Sequence, residues 1–320
     1  MTMLFSPVLA PEPLHIPDGF LSLPIALIFW VITILFVSQA VRHSQDELGE
    51  RQIPLMGIIA AFIFAAQMIN FPIAGGTSGH LLGGALAAIL LGPWSGILVM
   101  STVVGVQALF FQDGGLVVMG ANIFNMGILT ALIGFGLYRL VENKNRALKF
   151  GVAGAAAWLS VIAGAFLTSL QLWLSGTSTL TVVLPTMLGV HAVIGIGEAL
   201  ITTAALIFID QTRPDLLQTS PGKSGRGWIL AGSLISLAVV ILSPLASAHP
   251  DGLERVALDL GFMDLGQDAP YQILPDYTLP FLGETSSSTI LAGIIGAVLV
   301  GIIIIALSRT LTISSPVDKP

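Results

Sequence analysis

Long apolar stretches alternate with short polar breaks along almost the whole chain. Apolar segments fall near 21–41, 53–70, 80–91, 94–111, 116–138, 150–174, 185–209, 227–246 and 288–307. A helix needs about 20 such residues to cross a bilayer, and most of these runs meet that length. They lack the alternation expected of barrel strands. The pattern therefore predicts an all-α polytopic membrane protein, with a seven-segment helical bundle followed by a two-helix C-terminal module. The third run is short, and Gly92-Pro93 interrupts what would otherwise be one continuous hydrophobic stretch from 80 to 111.

Charge decides how that stretch is crossed. Basic residues mark cytoplasmic loops. Arg42 and Arg51 follow the first segment, Arg139 to Lys149 the fifth, Arg213 to Arg226 the seventh, and Arg309 and Lys319 lie in the tail. Placing all of them on one side requires the chain to turn back at Gly92-Pro93. The N-terminus is then outside a cell inner (plasma) membrane, and eleven of the twelve Lys and Arg face the cytoplasm. Arg255 is the exception, in an external loop 247–287 that carries seven acids. Such a loop could gather or gate cations.

Composition narrows the chemistry. Hydrophobic residues make up 54% of the 320 and charged residues 9%, which excludes a soluble domain and nucleic acid as a partner. With no cysteine, any metal would meet nitrogen and oxygen donors, a set suited to nickel, cobalt, copper(II) or zinc. The linker 210–226 is rich in Pro, Gly and Ser and reads as a joint between modules. It holds Gly222-Lys223-Ser224, but Leu217 stands where a phosphate-binding loop needs glycine. The chain is accordingly expected to be no enzyme, with no ATPase motif of its own.

Only five histidines occur. His15 lies in His15-Ile-Pro-Asp-Gly19, just ahead of the first segment, and Asp18 could orient its imidazole. His80 follows Gly75-Gly-Thr-Ser-Gly79, where Thr77 and Ser78 could line a polar pocket or cap a helix beginning near 80. His191 and Glu198 lie seven residues apart on nearly one helical face within an apolar run. Ionisable groups in such a position face the bundle interior, as a packing pair or as a proton relay. Asn70 and Asn122 are amides that could hold helices together or fix a pocket loop.

These segments resemble a known family. His15-Ile-Pro-Asp-Gly19, Asn70-Phe-Pro-Ile-Ala-Gly-Gly-Thr-Ser-Gly-His-Leu-Leu-Gly-Gly84, Gly120-Ala-Asn-Ile-Phe-Asn-Met-Gly127 and His191-Ala-Val-Ile-Gly-Ile-Gly-Glu-Ala199 are similar to the CbiM/NikM substrate-specific components of energy-coupling-factor cobalt and nickel transporters. His249-Pro-Asp-Gly-Leu-Glu254 resembles a PDGLE, or NikN-type, module. The resemblance implies a metal-binding domain over 14–209, the linker 210–226 and a second module over 227–320. It implies Ni2+ or Co2+ as the transported substrate. The implied partners are a coupling transmembrane subunit and ATP-binding subunits (CbiQ/NikQ- and CbiO/NikO-like).

The implied metal ligands are the imidazoles of His15 and His80 and the main-chain nitrogen of Leu14, if terminal, with Asp18, Asn70, Thr77, Ser78 and Asn122 ordering them. The family begins Met-His, whereas here Leu14-His15 follows thirteen further residues. The expectation is a mature chain starting at position 14, through a UUG or CUG start or through trimming after Pro13. The rival classes are a secondary transporter or channel using a His191/Glu198 proton relay, and an intramembrane metalloenzyme, for which no His-Glu-x-x-His helix is present.

Overall fold

The computed structural model describes residues 15–47, 52–212 and 227–313. Leu14 and most of the linker lie outside them, so the terminal-amine expectation concerns residues beyond the described part. Helix α1 (Leu23–Glu47) is followed by α2 (Gln52–Gln67), a short hairpin of β1 (Phe71–Ile73) and β2 (Thr77–Gly79), and α3 (Gly84–Leu91). Next come α4 (Pro93–Val106), α5 (Met119–Asn122), α6 (Thr130–Arg139), α7 (Arg146–Leu174) and α8 (Leu180–Thr212). The second module contributes α9 (Gly227–Leu242), α10 (Gly252–Leu260) and α11 (Ser286–Ile313). Among the described residues six helical stretches are long and apolar enough to cross a membrane, and two apolar helices near 52–67 and 229–245 are shorter.

The breaks between elements follow local chemistry. Gly92 takes φ 81 and ψ 163, and Pro93 opens α4, where its missing N–H costs nothing. The chain therefore reverses at Gly92-Pro93, and Gly96 of α4 packs so closely on α3 that a methyl group there would meet the Ala88 backbone at 2.8 Å. Trp94 stacks on His43 near the end of α1, with ring centroids 4.5 Å apart. Arg139 closes α6, Arg146 opens α7 and pairs with Asp210 at the end of α8, and Arg309 lies in the last turns of α11. The turn thus sits with the basic ends of the bundle.

Two expectations need correction. The run from 80 does not enter a helix at once: 77–79 form a strand and α3 begins only at Gly84. Its N-terminus is capped neither by Ser78 nor by Thr77. Gly83 precedes it with φ 81, and Glu198 of α8 accepts from Leu82 N at 2.6 Å and Gly83 N at 3.0 Å. Glycine at 83 and 84 lets the loop lie against neighbouring helices; serine caps work only where their own backbone sits at the helix edge. At ~1.5 Å per residue, α3 spans only ~12 Å of a core ~30 Å thick. The His80 loop is packed largely within protein, the setting in which irregular backbone is tolerated in a membrane protein.

The C-terminal module leans on α2. Gly57 of α2 faces Ile305 of α11, and Gly296 of α11 faces the Phe64 ring so closely that a Cβ would lie 2.0 Å from it. Small residues at these crossings let the helices approach, which is how apolar helices associate in lipid.

Candidate metal centre

His15 and His80 meet. Their ring centroids lie 5.7 Å apart in an edge-on arrangement, although 65 positions separate them in the chain. His15 is 3% exposed and His80 8%. Both border a cavity of about 80 Å³, together with His191, Asn122, Asn125 and Asp251. That volume suits an ion and a couple of waters, each needing about 30 Å³.

The orientation of the rings is consistent among the three histidines. Nδ1 of His15 faces Asp113 O at 3.2 Å, Nδ1 of His80 faces Leu81 O at 3.1 Å, and Nδ1 of His191 faces Met187 O at 2.9 Å. Each ring that donates from Nδ1 to a carbonyl keeps its lone pair on Nε2, the form in which imidazole binds metal. Nε2 of His15 is buried without a hydrogen-bond partner. The set is open: among the described residues no three imidazole or carboxylate groups are drawn close enough to hold an ion between them.

The His15 segment is fastened by α5 and by the α4–α5 connection. Asn122 accepts from Ile16 N at 3.1 Å and donates to Ile16 O at 3.0 Å. Gly115 N donates to Ile16 O at 2.9 Å. Asp18 does not orient the His15 ring. Its carboxylate accepts from Leu116 N, Val117 N and Val118 N at 2.9 to 3.1 Å, because the loop 114–118 turns its unpaired amides toward it. A Cβ on Gly115 would stand 2.2 Å from Asp18 Oδ1, so only glycine permits this approach. Asp18→Ala is expected to destabilise the fold by about 2–4 kcal/mol, since three amides lose a charged acceptor. Asp18→Asn should recover part of that in a thermal-unfolding assay.

The acceptor that does face His15 is Asp113, whose Oδ1 lies 3.4 Å from Nδ1. Tyr277 of the second module donates to Asp113 Oδ2 at 2.5 Å, and Gln107 Nε2 donates to the Tyr277 hydroxyl at 3.0 Å. Burial first, then the Asp113 carboxylate, push the Tyr277 phenol well above its ordinary range, so it stays a donor. Sequence reasoning missed Asp113 and Tyr277. Their one signal was an acid directly before Gly114-Gly115 at the end of an apolar run.

Thr77 and Ser78 do not line the cavity. The Thr77 hydroxyl donates to Pro250 O at 3.0 Å and the Ser78 hydroxyl to His249 O at 2.8 Å, while Ser78 N donates to Pro250 O at 2.9 Å. Asn70 also serves this junction, its carbonyl accepting from Ser247 N at 2.7 Å, and its side chain stays out of the cavity wall. These residues clamp the second module onto the His80 hairpin. Glu198 accepts from the Leu82 and Gly83 amides just ahead of α3, while the His191 ring borders the cavity.

The clamp carries Asp251 into the wall. Asp251 caps α10 in a reciprocal box with Glu254: its Oδ1 accepts from Glu254 N at 2.8 Å, and Asp251 N donates to Glu254 Oε2 at 2.8 Å. Its other oxygen, Oδ2, lies 3.9 Å from His80 Nε2. Burial, then Glu254, hold the Asp251 carboxyl well above the usual carboxylate range.

Fold and site together define a multi-pass membrane transport protein with a recessed, imidazole-lined cavity. Residues 15–216 match the family described as cobalt uptake substrate-specific transmembrane region, CbiM, and residues 226–312 match the PDGLE domain. The chain belongs to the CbiM family and carries a PDGLE domain behind it. A relative from Archaeoglobus fulgidus, provisionally named fused nickel transport protein NikMN, is 38% identical over 92% of this chain and 98% of its own. The cobalt transport protein CbiM of Sorangium cellulosum is 33% identical over 64% of this chain and 94% of its own. The crystal structure of a truncated transition metal transporter superposes with a TM-score of 0.56 at 30% identity, covering 62% of this chain and 98% of that one.

Proposed function

We propose that this chain captures Ni2+ or Co2+ on the outer side of the plasma membrane for an ATP-driven importer. The imidazoles of His15 and His80 supply the metal ligands, joined by the main-chain nitrogen of Leu14 where that residue is terminal. Chelation through the chain's own His15 amide uses Nδ1, so that arrangement requires the ring to turn away from Asp113. The observation that carries the reading is the convergence of two buried imidazoles, one with an unpartnered Nε2, on a cavity of ion size. The bundle end opposite the cavity bears Arg139, Arg146 and Arg309, which supports placing the cavity outside.

No phosphate-binding loop stands in the sequence, so the energy would come from separate ATP-binding subunits through a coupling membrane subunit. Relatives named as nickel and cobalt transport proteins support this substrate class. Uptake of radioactive Ni2+ into cells carrying the chain with its coupling and ATP-binding subunits is expected to stop when the ATPase is inactivated and to survive a protonophore while ATP is maintained. The reverse pattern would reject an ATP-driven importer.

A further inference from the structure

Among the described residues three that are not glycine take a positive φ: Gln112 at 57°, Asp276 at 50° and Tyr277 at 55°. Such backbone is costly for a residue with a side chain and lasts only where its surroundings enforce it. All three stand at one junction, where the second module's segment 271–277 meets the end of α4. Residues Gln107–Phe111 continue α4 as a wider π turn, and the last carbonyls of a helix need partners from elsewhere. Here Leu109 O accepts from the Tyr271 hydroxyl at 2.9 Å and Phe110 O from Leu274 N at 3.0 Å, while Gln112 Oε1 accepts from Ile273 N at 3.3 Å.

Asp113 comes next in the chain and presents two acceptors to one ring nitrogen. Its carbonyl oxygen lies 3.2 Å and its Oδ1 3.4 Å from His15 Nδ1. Its Oδ2 takes the Tyr277 hydroxyl, which Gln107 Nε2 supports from behind. Gly114 follows with φ 96, and a Cβ there would stand 2.8 Å from His15 Cβ, so the loop lies directly on the histidine. Both acceptors therefore move with residue 113, and Tyr277 moors residue 113 to the second module.

We propose that Tyr277 is a positioning residue for His15: acting through Asp113, it holds the ring by Nδ1, and the cation enters when that hold is released. This rests on the metal-capture reading above, in which Nδ1 is the chelating atom. One nitrogen cannot donate a proton to Asp113 and a lone pair to a metal together, so the second module restrains the first until the ring turns. The strained backbone at 112, 276 and 277 favours release, because relaxing it offsets part of the loss of the Tyr277–Asp113 contact.

Nitrogen-15 spectra of the purified, metal-free full chain, labelled in histidine, test it, with His15 assigned from its absence in His15→Ala. In the wild type the His15 ring proton is expected on Nδ1; a proton on Nε2 overturns the proposal without recourse to any variant. Tyr277→Phe removes only the hydroxyl. The proton is then expected to spread over both nitrogens, and Ni2+ alone, mixed with the chain, is expected to associate about fivefold faster, the factor that one net hydrogen bond is worth. Chelator-driven release of Ni2+ should keep its wild-type rate, since the bound ring has already left Asp113. Tyr271→Phe takes a hydroxyl from the same segment without touching Asp113 and is expected to leave spectrum and rates unchanged. Equal effects of the two phenylalanine variants would show general loosening and overturn the proposal, as would a wild-type spectrum or an unchanged or slower association in Tyr277→Phe. Should the spectra change as expected while the wild type takes up no Ni2+, the capture reading falls and the positioning of the ring stands.

Discussion

Replacing His80 with alanine is expected to lower Ni2+ affinity by at least about 100-fold, beyond the 10- to 100-fold typical when a group behind a ligand is lost. The ring's Nδ1 pairs with the adjacent Leu81 carbonyl, whereas the hairpin is held by the backbone pairing of β1 with β2 and the head of α3 by Glu198, so removing the ring leaves both in place. Thermal stability of the metal-free chain should therefore change little. His15→Ala should match it in affinity. A double-mutant cycle gives the sharper result, because two ligands of one ion are not independent. The double variant should bind scarcely worse than either single one. Additive losses would mean two separate weak sites, and the convergence of the rings would then be a matter of packing.

Glu198→Ala should show the opposite signature, with stability collapsing first. Glu198 is fully buried, and both of its oxygens are taken by backbone amides at the head of α3. Removing it leaves two N–H groups without acceptors at about 1–3 kcal/mol each, for a total of about 2–6 kcal/mol. Ni2+ binding should weaken as well, since Leu82 and Gly83 continue directly from His80. Glu198→Gln keeps one acceptor oxygen and should fall between. A proton relay would behave otherwise: the glutamine variant would unfold at the wild-type temperature and yet abolish uptake. Unfolding temperatures set beside uptake rates for the two variants separate these cases.

The apolar rhythm of the chain made most of the architecture legible. Long apolar runs specify the helices, and a Gly-Pro pair inside a run is enough to signal reversal. What periodicity could not show is where a run stops being helix. The apolar run from 80 stays a loop until Gly84, where Glu198, more than a hundred positions away, takes the amides at the head of α3. The site was legible in part for the same reason. Histidine is rare and conspicuous in an apolar chain, so His15, His80 and His191 stood out. Asp113, Tyr277 and Asp251 did not, because an acid or a tyrosine in an outer loop looks like solvent-facing surface until a second module folds over it. Asp18, Thr77 and Ser78 were visible as polar residues beside the histidines, but local adjacency misassigned their partners. Short polar side chains in such loops serve the nearest unpaired backbone group, and that group was supplied by a distant segment.

The grip of Thr77 and Ser78 on the turn at 249–251 has a consequence for supply and demand in the cell. Because both halves travel on one polypeptide, the turn reaches its hairpin by intramolecular encounter, at an effective concentration of order millimolar for a short tether. A freestanding subunit presenting the same turn would have to be synthesised in matching amounts. Here every copy arrives with its own cover in a fixed one-to-one ratio, and weak individual contacts suffice to keep it closed.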